Sequence, residues 1–176
     1  MRINFTTLSA CALPLLILAA CNPLREISNI SVSVTSETEV QGTIVEMPAF
    51  PGFEGFDISQ TETFQNSDAT RDNLESSSLD SFTLRVTEDS QGQSLGFIDE
   101  MKVFINAEGQ DEQLIAWYDE FEEGQREASF NVVDDVDLTD YFRQDEAEIV
   151  TETTSSAPQQ NTTLEAEMVF DINFLL

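Results

Sequence analysis

Four aspartates crowd one short stretch, Asp134, Asp135, Asp137 and Asp140 in DDVDLTDYF. Carboxylates at that density suit the binding of a hard divalent cation such as calcium, which takes oxygen ligands. Elsewhere the chemistry is narrow. The chain has no histidine and two cysteines, Cys11 and Cys21. Without imidazole there is no Ser-His-Asp or Cys-His machinery, and the usual zinc and copper ligands are missing. Lys102 has no Ser-x-x-Lys arrangement around it. Paired carboxylates could hydrolyse a glycoside, given one raised and one ionised partner. With 34 acidic residues, however, adjacent pairs arise by chance throughout. No enzyme is expected, and no cofactor.

The aspartate cluster only partly fits the spacing of a helix–loop–helix calcium site. Counting from Asp135, oxygens fall at Asp137 and Thr139, and Glu146 stands where a bidentate glutamate belongs. Asp140 then occupies the turn position that needs glycine, and Arg143 stands where a ligand should be. The flanks read as strand rather than helix. A looser calcium loop between strands stays open as an alternative. The preferred reading has Asp137 capping a short helical turn with the other aspartates solvated, so the four are candidates but no bound metal is expected.

Two aromatic groups stand out. Phe50, Phe53 and Phe56 are spaced by three in PAFPGFEGF, and are expected to fold over an open end of the molecule rather than grip lipid or a partner. Trp117 and Tyr118 are neighbours on an apparent strand, so they point to opposite faces. One could serve as a platform for a sugar ring; the expectation is that both are packed.

The N-terminus carries the clearest motif. Arg2 begins a short positive segment, and an apolar run from Leu8 to Ala20 follows, interrupted by Pro14. That run is too short to span a bilayer comfortably, which takes about 20 apolar residues. It reads as a signal peptide over residues 1–20. It ends in Leu18-Ala19-Ala20-Cys21, which resembles the lipobox of bacterial lipoproteins. The resemblance covers this segment alone. It implies cleavage before Cys21, a diacylglyceryl group on its thiol, and a lipid-anchored tether over residues 21–26. Asn22 follows the cysteine where an aspartate would favour inner-membrane retention, so the outer membrane is the expected location. Cys11 leaves with the signal. Cys21 is then the only mature thiol, and no internal disulfide is possible. The Asn161-Thr162-Thr163 sequon carries little weight in such a protein.

The formal charge is −27. Nothing basic is available to neutralise phosphate, so nucleic acid is not an expected partner. The membrane, reached through lipid, is the expected one, and the identity of any envelope protein or polymer partner stays open. Acidity of this order with a single lysine is expected of a surface solvated in salty water; a cation-binding surface and a basic partner stay open as alternatives. The Leu, Ile, Val and Phe content stays above the roughly 20% below which disorder is expected, so residues 27–176 are read as one folded domain.

The elements that would position these residues follow from hydrophobic alternation. Ile30, Val32 and Val34 share one face of a strand. Strands are also expected at Val40–Met47 (with Gly42 as a possible bulge) and Ile58–Gln65. A short helix is expected near Asp68–Glu75. Further strands run through Phe82, Leu84 and Val86; Met101, Val103 and Ile105; Leu114, Ala116 and Tyr118; Ala128, Phe130 and Val132; and Ala147–Thr153. A helical turn fits DLTDYFRQ. The strongest signal is the row Leu164, Ala166, Met168, Phe170, Ile172 and Phe174, with Glu165 and Glu167 expected in solvent. About nine short strands with one or two helical segments indicate an all-β antiparallel β-sandwich, Ig-like or jelly-roll-like. The functional expectation is a membrane-anchored envelope lipoprotein with a structural or interaction role; the alternative is a module that binds calcium or carbohydrate.

Overall fold

The computed structural model describes residues 26–42, 48–50, 53–54, 56–90 and 93–176. These residues form eight strands in two four-stranded antiparallel sheets. In chain order they are β1 (Ile27–Val40), α1 (Glu62–Gln65), β2 (Leu74–Val86), β3 (Ile98–Ala107), β4 (Gln113–Tyr118), β5 (Glu127–Ser129), β6 (Asn131–Val132), α2 (Thr139–Phe142), β7 (Ala147–Ser155) and β8 (Thr162–Leu175). One sheet has the order β1-β8-β2-β5 and the other β6-β4-β3-β7. The expected all-β sandwich is therefore what the chain forms.

β8 is the central element. It pairs with β1 along the full length of both strands and with β2 on its other side. Its six even-numbered apolar side chains from Leu164 to Phe174 are all at most 2% exposed. Period-two alternation puts one face of a strand in the core, and β8 obeys it throughout. Glu165 and Glu167 depart from expectation. Both are half-buried rather than free in solvent, because Arg85, opposite Glu165 on β2, reaches both carboxylates.

The phenylalanine loop behaves as expected. Phe50, Phe53 and Phe56 are buried. Gly42 lies in a turn just past the end of β1, and Thr38 Oγ1 donates to the Ala49 carbonyl at 3.0 Å. A Cβ on Gly42 would meet the Gln160 backbone at 2.9 Å, so this is a turn held by close approach rather than a bulge. Phe56 then pairs with Ala147 at the start of β7 and stacks on Phe170 of β8 at 5.8 Å. Phe142 of α2 meets Phe170 edge-on at 5.1 Å.

Three local expectations are corrected. Ile58–Gln65 is not a strand but a 3-10 turn followed by α1. The Asp57 carboxylate accepts from the Ser59 N–H at 2.8 Å, and the Thr61 hydroxyl accepts from the Phe64 N–H at 3.4 Å. Two side-chain caps in succession offer the backbone a local alternative to the sheet ladder. The helix near Asp68–Glu75 shrinks to one 3-10 turn, Arg71–Asn73, and β2 begins at Leu74. On β4, a bulge opposite Val103 and Phe104 lets Ile115 and Ala116 both be buried, and shifts Leu114 to the outer face beside Phe104. Of the segment Val40–Met47, Val40 ends β1, while residues 43–47 lie outside the described residues.

Phe130 separates β5 from β6 and carries the chain from one sheet to the other. It is buried, and its ring centroid lies 4.6 Å from Phe82 and 5.5 Å from Tyr118.

Candidate functional site

The aspartate cluster does not converge. The Asp137 Oδ1 accepts from the Thr139 N–H at 3.0 Å and from the Ser77 N–H at 3.3 Å. Leu138 N–H in turn donates to the Ser77 carbonyl at 2.7 Å. The Asp137 carboxylate thus ties the start of α2 to β2. Burial pushes its pKa up, but the hydrogen bonds from Thr139 and Ser77, with the Arg143 charge, outweigh that and hold it below the ordinary value. Asp140 pairs with Arg143 at 3.0 Å, and Arg143 also donates to the Leu74 carbonyl at 2.7 Å. Asp134 and Asp135 are exposed, and Asp135 sits at φ 61°, a left-handed conformation that aspartate tolerates. Among the described residues, no group of three or more acidic or cysteine side chains is placed to hold a metal ion.

The arginines are similarly committed to the fold. Arg71 bridges Asp57 at 2.8 Å and Asp145 at 2.6 Å. Burial raises the Asp57 pKa, yet the hydrogen bonds from Arg71 and Ser59 leave it below the ordinary carboxylate range. Arg126 donates to the carbonyls of Ser90, Gln93, Val86 and Thr87, fastening the chain that follows β2. None of these four described arginines, Arg85 and Arg143 included, stands as a free cation.

The two sheets differ sharply in their outer faces. On the β1-β8-β2-β5 sheet, the outward row of β8 reads Glu165, Glu167, Val169, Asp171 and Asn173, flanked by serines and threonines of β1 and β2. That face is mostly polar, apart from Val169 and the Ile27–Leu175 pair at one end, where Ile27 is 66% exposed. On the other sheet, one row crosses all four strands: Asn131 of β6, Trp117 of β4, Lys102 of β3 and Glu152 of β7. The next row joins Leu114, Phe104 and Val150, all half-buried. Phe104 faces outward because Val103 and Ile105, both 0% exposed, take the core side.

Trp117 is 36% exposed, which corrects the expectation that it is packed. Tyr118 does pack inward, edge-on to Phe121 at 4.7 Å, and its hydroxyl accepts from Gln125 Nε2 at 3.2 Å. Lys102 reaches Glu100 at 2.8 Å. That hydrogen bond and the Glu100 charge raise the Lys102 pKa, with smaller help from Glu152 and Asp119. The result is an indole flanked by an amide, an ammonium and a carboxylate, beside an apolar row. An aromatic face with polar groups at its rim is suited to a ring that has an apolar face and hydroxyl edges. Alternation in the β3 sequence places Phe104 out of phase with Met101, Val103 and Ile105, and so was a legible hint of this face. The outward turn of Leu114 depends on the bulge and had no such signal.

Cys21 and the rest of residues 1–25 lie outside the described residues. Among the described residues, no helix is long and apolar enough to cross a membrane. Comparison with protein-family models and with curated proteins finds no match.

Proposed function

We propose that the chain is a lipid-anchored protein of the bacterial cell envelope, outer membrane rather than inner, whose β-sandwich is a non-enzymatic interaction module. The observation that carries the reading is the Leu18-Ala19-Ala20-Cys21 motif that closes the N-terminal apolar run a few residues before β1. Five residues separate Cys21 from Ile27, the first residue of β1. Fully extended, the six steps from Cys21 to Ile27 reach at most about 22 Å. A lipidated Cys21 would therefore hold the sandwich against the membrane surface. One acyl chain gives only marginal binding, and two make it stable. The test is Cys21→Ser in the full chain, with fractionation of cells and labelling with radioactive palmitate. Loss of label and release from the membrane fraction would support the reading; unchanged membrane association with normal maturation would refute it.

A second reading is favoured by Trp117. Its row on the outer sheet face suits carbohydrate better than the aspartate loop suits calcium, because Asp137 and Asp140 are already engaged. Trp117 is the sole tryptophan, so its fluorescence reports on that face directly. Saturable quenching or blue shift on titration with envelope polysaccharide would support carbohydrate binding. Emission that stays constant to saturating polymer would refute it.

A further inference from the structure

The two outer sheet faces handle charge differently. On the β1-β8-β2-β5 sheet, Arg85 reaches both Glu165 and Glu167. On the β6-β4-β3-β7 sheet, the one basic residue in the outward rows is Lys102, and Glu100 holds it at 2.8 Å. Glu152 and Asp119 act on the same ammonium through space. Both are exposed, and among the described residues neither carboxylate forms an ion pair. One ammonium therefore stands among three carboxylates beside the exposed Trp117 indole.

The row itself is extended. Neighbouring strands lie about 4.8 Å apart, so Asn131, Trp117, Lys102 and Glu152 run for about 14 Å across the sheet. That length accommodates several linked sugar rings rather than one. A ring seated on the indole has the Asn131 amide on one side, which can donate to and accept from hydroxyls. Glu152 lies two strands from Trp117, about 10 Å away, within reach of the next ring. Asp119 follows Trp117 by two residues in the chain.

This arrangement selects against acidic sugars. Lys102 is no receptor for an anion, because Glu100 already answers its charge. A carboxylate, phosphate or sulfate on the ligand would meet Glu152 and Asp119 as well. Like charges brought together across an interface reject the wrong partner. An ammonium meets the reverse situation. It brings N–H donors to carboxylates that only accept, and the face of an indole attracts a cation directly.

We infer that the ligand of this face is an amino glycan, a chain of linked sugars with one ring on Trp117 and free ammonium groups paired with Glu152 and Asp119. The inference rests on the carbohydrate reading of Trp117 and adds the charge of the sugar to it.

Three oligosaccharides of equal length test it on the full chain in detergent: a glucosamine oligomer, its fully N-acetylated counterpart, and an oligogalacturonate. The first two share a backbone and differ in charge. Trp117 fluorescence reads each titration at about pH 5.5, where carboxylates are ionised. We expect the glucosamine oligomer to saturate at a Kd at least about fivefold below that of the acetylated one, the scale of one or two exposed ion pairs. The galacturonate should leave the emission unchanged. Glu152→Gln combined with Asp119→Asn should shrink the preference to less than about twofold. Asp171→Asn combined with Glu37→Gln removes as much charge from the other sheet and should preserve it. Equal affinity for the two glucosamine-based oligomers, or tighter binding of the acetylated or acidic one, would overturn the inference and leave the carbohydrate reading standing. So would a preference that survives Glu152→Gln with Asp119→Asn, since net charge rather than this face would then select the ligand. No response of Trp117 to any of the three would overturn both.

Discussion

Trp117 and Tyr118 are consecutive residues of β4 with opposite fates: the indole stands across from Lys102 on the outer face, and the phenol ring packs 5.5 Å from Phe130. The pair separates the two jobs of this sheet. We expect Tyr118→Ala to destabilise the fold by about 2 kcal/mol or more, as aromatic truncation in a packed site does. Trp117→Ala should change stability by less than about 1 kcal/mol, within the range of ordinary surface substitutions. Urea unfolding of both variants measures this. Equal costs would mean that the indole is part of the core.

The β8 row carries a second expectation. Phe170 is 0% exposed and touches Phe56 and Phe142. Phe170→Ala should cost about 3–5 kcal/mol. Glu167→Gln, one face over, keeps an oxygen that can accept from Ser33 and loses the long charge contact with Arg85. Its cost should stay below about 1 kcal/mol. Chemical denaturation of the two variants compares them directly.

Asp137 sets an acid-stability expectation. Its folded pKa lies below the ordinary carboxylate value, so the ionised form is favoured by folding. The stability it supplies is present above the unfolded pKa, about 3.9, and is lost as pH falls through the lower folded pKa. Asp57 acts in the same direction. Asp137→Ala should cost about 1 kcal/mol at pH 7, allowing for its partial exposure to solvent. The gap between variant and parent should narrow as pH is lowered below about 4. Thermal melts from pH 7 to pH 3 test this, and a gap that widens on acidification would contradict it.

Charge sets a fourth expectation. A body at −27 repels itself when compact. Salt shortens the reach of that repulsion from about 10 Å at 0.1 M to about 3 Å at 1 M. The melting temperature should rise with sodium chloride. Calcium titrated against magnesium at fixed ionic strength should give no calcium-specific plateau, since bound ligand would add stability in a saturating manner. A plateau abolished by Asp135→Asn or Asp137→Asn would restore the aspartate loop as a metal site.

Where one periodicity governed a segment, its structure was legible. The Leu164–Phe174 row, the Phe82–Val86 row and the Met101–Ile105 row all lie on the core face as their alternation implies. Ile58–Gln65 departs from a strand because Asp57 and Thr61 satisfy the backbone locally, which apolar spacing alone does not reveal. The exposure of Trp117 was hidden for a related reason: β4 is six residues long and bulged, so its phase cannot be set from its own sequence. The adjacency of β1 and β8, the first and last strands, is a pairing across nearly the whole chain, and no local pattern encodes it. In the candidate sites, a local role for Asp137 at the start of the turn was legible, but the N-cap of α2 is Leu138, and Asp137, one residue earlier, binds the Thr139 and Ser77 N–H groups instead; the Asn131–Trp117–Lys102–Glu152 row exists only through strand register.

The central claim is that Cys21 is the lipidated first residue of the mature protein. Mass spectrometry of the N-terminal peptide of the membrane-extracted protein tests it most directly. We expect a chain beginning at Cys21 with a diacylglyceryl group on its sulfur. An unmodified Cys21 thiol, or a mature chain that begins at any other residue, would contradict the account.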